Sequence, residues 1–371
     1  MEHLVQLQIK DTAERYRIWE KIGGGGQAVV YSAQDCDHPD QQYVALNIDA
    51  GNACDVISSQ NQQKESENLA QEEVSRELLR LLREISSIQL KHLNIVEIYD
   101  SYISTDNKFI SISELAHQDL QDFVAQRQKK LTTQEISMIF LQIINGLEYT
   151  HDQNFIHRDI SPQNILVFQD QLIKICDSGL ASYGDQSSLL VGKQDFVAPE
   201  IYFGSKNYNK SIDIWSLGIT LYYLCTGSTY CNGELVNAVA REQNHIELPP
   251  EHKILQAFFD QMIQVDPSKR LSASKIKEDL MNIIDEGSPI FQKYQSSLLT
   301  YLMIQQKNNF QKQQIDFEKQ IQRNFKKELI QQNSDQLQHL KDIYQELDKS
   351  QLLIQISQSK NWEKKYIKQG K

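Results

Sequence analysis

Apolar and polar positions divide this chain into unlike stretches. Residues 16–284 hold nearly all of the glycine and proline, and within them strand-like apolar runs flank the glycines at 23–26. Residues 290–371 contain no proline and a single glycine, Gly370. There Leu337, Leu340, Tyr344, Leu347 and Ile354 follow a three-to-four repeat, which predicts long helix. From Leu337 to Leu347 the 3-4-3 spacing is that of a coiled-coil seam, held for barely two heptads before Gln351 interrupts it. Asn333-Ser334-Asp335 reads as the end of one helix and the cap of the next. Two roles stay open for this helix: lying on its own domain, or meeting a protein partner or a second copy through residues 290–358. Residues 1–15 read as a short polar leader and Gln60–Glu73 as a polar surface insertion.

Composition narrows the class. With 371 residues, 40% of them hydrophobic, the chain suffices for one large two-lobed domain plus an extension. Net charge is −11 overall; residues 290–371 carry +6 and therefore the preceding residues −17. That balance argues against a nucleic-acid-binding surface. Five cysteines show no C-x-x-C spacing, so neither a zinc site nor a disulfide framework is expected. No run of 18 apolar residues occurs and Met1–Lys10 lacks a signal peptide's apolar stretch, so the expectation is a protein without a transmembrane segment. A reducing, cytoplasmic setting follows, with the nucleus left open.

The chemistry sits in a few short strings. His157 to Asn164 reads H-R-D-I-S-P-Q-N, and 18 residues past Asp159 comes Asp177 in Asp177-Ser178-Gly179. Upstream, Gly23-Gly24-Gly25-Gly26 precedes Val30, and Val44-Ala45-Leu46-Asn47 follows thirteen residues beyond Tyr31. Downstream stand Ala198-Pro199-Glu200, Asp213-Ile214-Trp215 and Asp266-Pro267-Ser268-Lys269-Arg270. In this order and spacing the strings resemble the Ser/Thr branch of the eukaryotic protein kinase superfamily. The resemblance implies an α+β bilobal fold. A small lobe of antiparallel strands (16–115) would join a mainly helical large lobe (116–284), followed by a glutamine-rich helical, coiled-coil-like tail (285–371).

The same resemblance implies ATP and Mg²⁺ (or Mn²⁺) as cofactors and a protein substrate. Asp159 would take the substrate hydroxyl's proton, while Asn164 and Asp177 would hold metal against the phosphates. Nucleotide-binding positions would be Ile22, Gly23, Gly24, Gly25, Gly26, Val30, Ala45, Asn47, Ser113, Glu114, Ala116, Asp119 and Leu166. Glycines suit such a loop because backbone amides must approach phosphate closely. Arg158 would receive an activation-segment phosphate, with Ser187 and Ser188 as its candidate carriers.

The chain also departs from the pattern. Asn47 stands where the family has the lysine that meets the α- and β-phosphates, and an amide supplies no point charge. Its usual helix partner would be Glu84, one residue out of register. Ala28 replaces a third glycine, and Ser178 replaces a phenylalanine. Ser161 stands at the catalytic-loop lysine and Lys193 at the activation-segment threonine, so hydroxyl and ammonium have changed places. Two readings follow: an atypical ATP-dependent Ser/Thr kinase, or a pseudokinase scaffold acting through the fold and its tail.

Overall fold

The computed structural model of the protein describes residues 9–24, 28–37, 44–49, 90–105, 108–176, 182–183, 193–205, 207–229 and 246–329. Runs rich in β-branched and aromatic residues form its first sheet, as their packing on a pleated surface favours. Its strands are β1 (Ile9–Lys10), β2 (Tyr16–Gly24), β3 (Ala28–Asp35), β4 (Val44–Asp49), β5 (Ile98–Ser104) and β6 (Phe109–Glu114). They lie in the order β1-β5-β6-β4-β3-β2. β3 pairs antiparallel with β4 from Val29–Ile48 to Ala33–Val44, the pairing expected for a kinase small lobe. Tyr16, Ala33, Val44, Leu46, Tyr102, Ile110 and Ile112 form the core under the sheet, with the rings of Tyr16 and Tyr102 stacked at 6.5 Å.

The leader takes part in this sheet. Ile9–Lys10 runs parallel to β5, and Arg15, in the one-turn helix α1 (Thr12–Arg15), reaches Asp35 at 2.9 Å and Asp100 at 3.5 Å. Two residues of strand are too few to show a period of two, so the polar composition hid them.

The second lobe begins with β7 (Gln118–Asp119) and α2 (Leu120–Ala125). α3 (Thr133–Asp152) starts at a capping box, in which Thr132 and Glu135 satisfy each other's backbone amides. Gly146 on α3 is required by a close approach: a Cβ there would stand 2.5 Å from the Asn94 carbonyl oxygen. After β8 (Phe155–Ile156) come β9 (Ile165–Val167), β10 (Ile173–Ile175) and β11 (Ser182–Tyr183). β10, β9 and β7 form one small sheet; β11 pairs with β8. The helices α4 (Pro199–Tyr202), α5 (Ser211–Thr226), α6 (Gln256–Met262) and α7 (Ala273–Met281) follow. α5 is apolar almost all round and buried, ending at Gly227, whose φ of 76° suits glycine.

The last described element, α8 (Pro289–Leu329), has 41 residues and spans the boundary between two compact units, Met1–Leu298 and Leu299–Lys371. In the first unit, Phe291 and Tyr294 are buried, and the Tyr294 hydroxyl donates to Asn94 Oδ1 (2.7 Å) while accepting from Asn145 Nδ2 (2.9 Å). The start of α8 thus belongs to the first compact unit, Met1–Leu298. In the second unit, Leu299, Leu302, Met303 and Ile304 are exposed. Gln60–Glu73, the cap at 333–335 and the repeat from Leu337 to Ile354 lie outside the described residues. Among the described residues no helix is long and apolar enough to cross a membrane.

His92, at the foot of the small lobe, has a pH consequence. Its ring stacks on Tyr149 at 5.1 Å and accepts the Asn94 amide at 3.1 Å. Burial, reinforced by Lys277 and opposed by Glu148, holds its pKa at about 4. Because the folded value lies below the unfolded one, the unfolded chain binds the extra proton and stability falls as pH drops from 6.5 towards 4. Between pH 7.5 and 5 this group should cost about 2 kcal/mol. Urea midpoints at those two pH values should converge in His92→Gln relative to the parent; equal loss in both would remove His92 from the acid limb.

Candidate active site

The loop between β8 and β9 carries the HRD string, and one buried carboxylate fixes it. Asp213, fully buried on α5, accepts the backbone amides of His157 (2.8 Å) and Arg158 (2.7 Å) and the ring of His151 (2.9 Å). Burial opposes ionisation of Asp213, but the His151 hydrogen bond and neighbouring charge outweigh it and lower its pKa. Arg158 is thereby held at φ 70°, a left-handed conformation that a bulky residue keeps only when its surroundings fix it. Its guanidinium is buried and reaches the Tyr208 hydroxyl at 3.3 Å.

Those constraints bring Asp159, Ser161 and Asn164 together. Pro162–Asn164 form a single 3₁₀ turn, closed by the Asn164 amide on the Ser161 carbonyl at 2.9 Å. The turn aims Asn164 Nδ2 at Asp159, 2.6 Å from Oδ2 and 2.9 Å from the backbone carbonyl. With Nδ2 so engaged, Asn164 Oδ1 faces the other way. From the segment before α4, Lys193 meets all three residues. Its Nζ donates to Ser161 Oγ (2.8 Å) and Asn164 Oδ1 (3.2 Å), and its backbone amide to Asp159 Oδ1 (3.2 Å). Ser161 is fully buried and Lys193 half-buried, so the hydroxyl end of the pair is shielded from water.

The chain leading to Asp177 is tied to the same loop. The Cys176 amide donates to the Asn164 carbonyl (2.9 Å) and the Cys176 carbonyl lies 3.0 Å from His157 Nε2. Asp177 itself, Gly25, Gly26, Glu84, Ser178, Ser187 and Ser188 lie outside the described residues. The donors implied for a metal, one amide oxygen and one carboxylate, are hard oxygens of the kind Mg²⁺ takes. Of these, Asn164 Oδ1 already faces an ammonium. No cluster of three His, Cys, Asp or Glu occurs among the described residues.

The described positions expected to meet nucleotide lie on β2, β3, β4, β6, β7, β9 and the connection after β6. Ile22, Gly23 and Gly24 end β2; Val30 on β3 sits opposite Gly23. Ala45 and Asn47 are on β4, where Asn47 pairs with Val30 and with Ser111 on β6. Ser113 is buried and its neighbour Glu114 ends β6. The Glu114 carboxylate accepts the Glu97 amide at 2.6 Å and pairs with Lys174, an anchor that the sequence reading lacked. Ala116 lies one residue beyond Leu115 in the connection. Asp119 caps α2 by accepting the Asp122 amide at 2.8 Å, and partial burial raises its pKa. Leu166, half-buried on β9, pairs with Asp119 on β7.

Residues 16–281 match the protein kinase domain family. The chain belongs to the protein kinase family. Its relatives include a probable serine/threonine-protein kinase of Dictyostelium discoideum, 34% identical over 203 residues, 53% of this chain and 24% of that protein. The SNF1-like protein kinase ssp2 of Schizosaccharomyces pombe is 30% identical over 230 residues, 58% of this chain and 40% of the relative. The serine/threonine-protein kinase KIC1 of Saccharomyces cerevisiae is 29% identical over 277 residues, covering 72% and 23%. The chain thus spans less than half the length of each of these relatives. The kinase-domain match begins at Tyr16 and stops before α8, so Ile9–Arg15 and Tyr294 lie outside the matched residues.

Proposed function

We propose that this protein kinase transfers the γ-phosphate of ATP to serine or threonine of protein substrates, with Lys193 supplying the cation that Ser161 lacks. The observation that carries the reading is the Lys193 ammonium 2.8 Å from Ser161 Oγ, on the same loop as Asp159. Phosphoryl transfer needs positioning and charge neutralisation more than covalent chemistry. Asp159 accepts the substrate hydroxyl's proton. Asn164 Nδ2 and the Lys193 amide hold the Asp159 carboxylate in place. Asp177 would hold magnesium against the phosphates, where the ion would supply Lewis-acid neutralisation of the departing β-phosphate charge. Lys193, as a point charge on a flexible stem, stabilises the transferring group. The free cysteines Cys36, Cys176 and Cys225 are consistent with a cytoplasmic setting.

Asn47 is the feature that favours the competing reading, a pseudokinase that uses the fold and α8 as a scaffold. The two are separated by incubating the full chain with γ-labelled ATP, a generic basic protein and Mg²⁺ or Mn²⁺. Incorporation that disappears in Asp159→Asn supports transfer; no incorporation with either metal sinks it.

Asn47→Lys gives a further check on the cleft. Restoring an ammonium on β4 should strengthen nucleotide binding by about tenfold, the worth of roughly 1–2 kcal/mol for a partly screened charge pair. Unchanged nucleotide affinity would mean that position 47 does not face phosphate.

A further inference from the structure

Protein kinases hold two divalent cations, one on the catalytic-loop asparagine; we infer that Lys193 takes the place of that ion, so that the nucleotide-loaded site holds one metal ion. The inference rests on the proposed phosphoryl-transfer reading and concerns the occupancy of one atom, Asn164 Oδ1. That oxygen is the outer face of an amide whose nitrogen is spent on Asp159 at 2.6 and 2.9 Å. The amide cannot be turned over: its NH₂ would then face an ammonium and its oxygen a carboxylate, two repulsive contacts in place of two attractive ones. Oδ1 is therefore committed to the side on which Lys193 Nζ stands, 3.2 Å away.

A divalent cation on the same oxygen would sit about 2.1 Å from it. With the two lone pairs of an amide oxygen diverging at about 120°, the ion and the ammonium would lie only about 4–5 Å apart. The bridging atom between them is a neutral amide, which has no net charge to offset their repulsion. Among the described residues the carboxylate at hand is Asp159, already engaged by Asn164 Nδ2 and the Lys193 amide. Nor is the ammonium held by Asn164 alone: the buried Ser161 hydroxyl accepts from it at 2.8 Å, so two acceptors from one rigid turn fix its position. In effect the exchange between positions 161 and 193 moves the ammonium from the loop to the segment and lets it fill a metal position on the way. The remaining ion is the one expected on Asp177.

The consequence is a stoichiometry that can be counted without turnover. The full-length protein is mixed with a nonhydrolysable ATP analogue and titrated with Mn²⁺, and free Mn²⁺ is read by its electron paramagnetic resonance signal. One tightly bound Mn²⁺ per bound nucleotide is expected for the parent and two for Lys193→Thr, in which Asn164 Oδ1 is released. A thermal melt of both proteins shows that they are equally folded. Two ions in the parent would overturn the inference, as would one ion in both proteins, since Lys193 would then not be what excludes the second. Failure of the parent to bind nucleotide at any Mn²⁺ concentration would remove the phosphoryl-transfer reading itself, a different result from binding nucleotide with two ions.

Discussion

Lys193→Ala should lower γ-phosphate transfer by about 10²–10³, the cost of roughly 3–4 kcal/mol usual for one preorganised charge at a developing anion. The expectation is this large because the cations that normally share the work are few. Asn47 brings none on β4, and Ser161 brings none on the catalytic loop. Nucleotide affinity should fall much less than the rate, because a charge aimed at the transferring phosphoryl acts mainly in the transition state. Installing Ser161→Lys together with Lys193→Thr should restore part of the rate. Single Ser161→Lys should not, since it crowds two ammonium groups into a fully buried position. A Lys193→Ala rate within threefold of the parent would show that the ammonium has no part in transfer. So would a double variant no faster than Lys193→Ala.

The exchange itself is legible in the sequence, because both changes lie in strings whose spacing is fixed: Ser161 two residues after Asp159, Lys193 immediately after Gly192. The small-lobe pairing was legible for a similar reason, since β3 and β4 are runs of branched and aromatic residues separated by a short polar stretch. Other parts left no local signal. Tyr294 anchors the start of α8 through Asn94 and Asn145, contacts 200 and 149 residues apart in the chain, and in sequence it is one aromatic among polar neighbours. The Glu114–Lys174 pair joins the end of β6 to β10 across 60 residues. His151 on Asp213 is likewise a partnership that only the packing of α3 on α5 creates. Long-range polar pairs have no period, so pattern reading finds the elements that carry them but not the pairs.

These long-range pairs also place the groups around Asp159, although the cations there are rearranged. Asp213 fixes two consecutive amides of the catalytic loop, and the 3₁₀ turn sets Asn164 against Asp159. The groups that a phosphoryl-transfer site most needs in fixed positions are those held by buried hydrogen bonds. Lys193 comes instead from the segment before α4, and its ammonium is placed by contacts to Ser161 and Asn164. Under the proposed transfer, a cation carried on that segment would tie the rate to the segment's position, which a loop lysine would not do.

The largest effect on stability should come from Arg270→Ala. Arg270 lies buried beneath α5 and meets Glu200 with two parallel bonds of 2.7 Å, the bidentate geometry of the strongest ion pairs. It also donates to the carbonyls of Gln264 (2.8 Å) and Ser211 (3.0 Å), and its guanidinium stands 5.1 Å from the Trp215 ring centroid. With the Val265 carbonyl at 3.4 Å, removal of Arg270 strands the largely buried Glu200 carboxylate and three backbone acceptors. Breaking such a pair from one side typically costs about 3–5 kcal/mol. For a lobe of this size that should lower Tm by roughly 10 °C. Removing both charges with Glu200→Gln and Arg270→Met should cost less than Arg270→Ala alone, because no charge is then left unpaired. Lys275→Ala, which breaks exposed pairs with Glu278 and Asp279, should leave the melting temperature close to the parent's. Calorimetry on the four proteins gives the comparison. If Arg270→Ala melted within 3 °C of the parent, the Glu200–Arg270 pair would not be what joins α4 to the helices behind it.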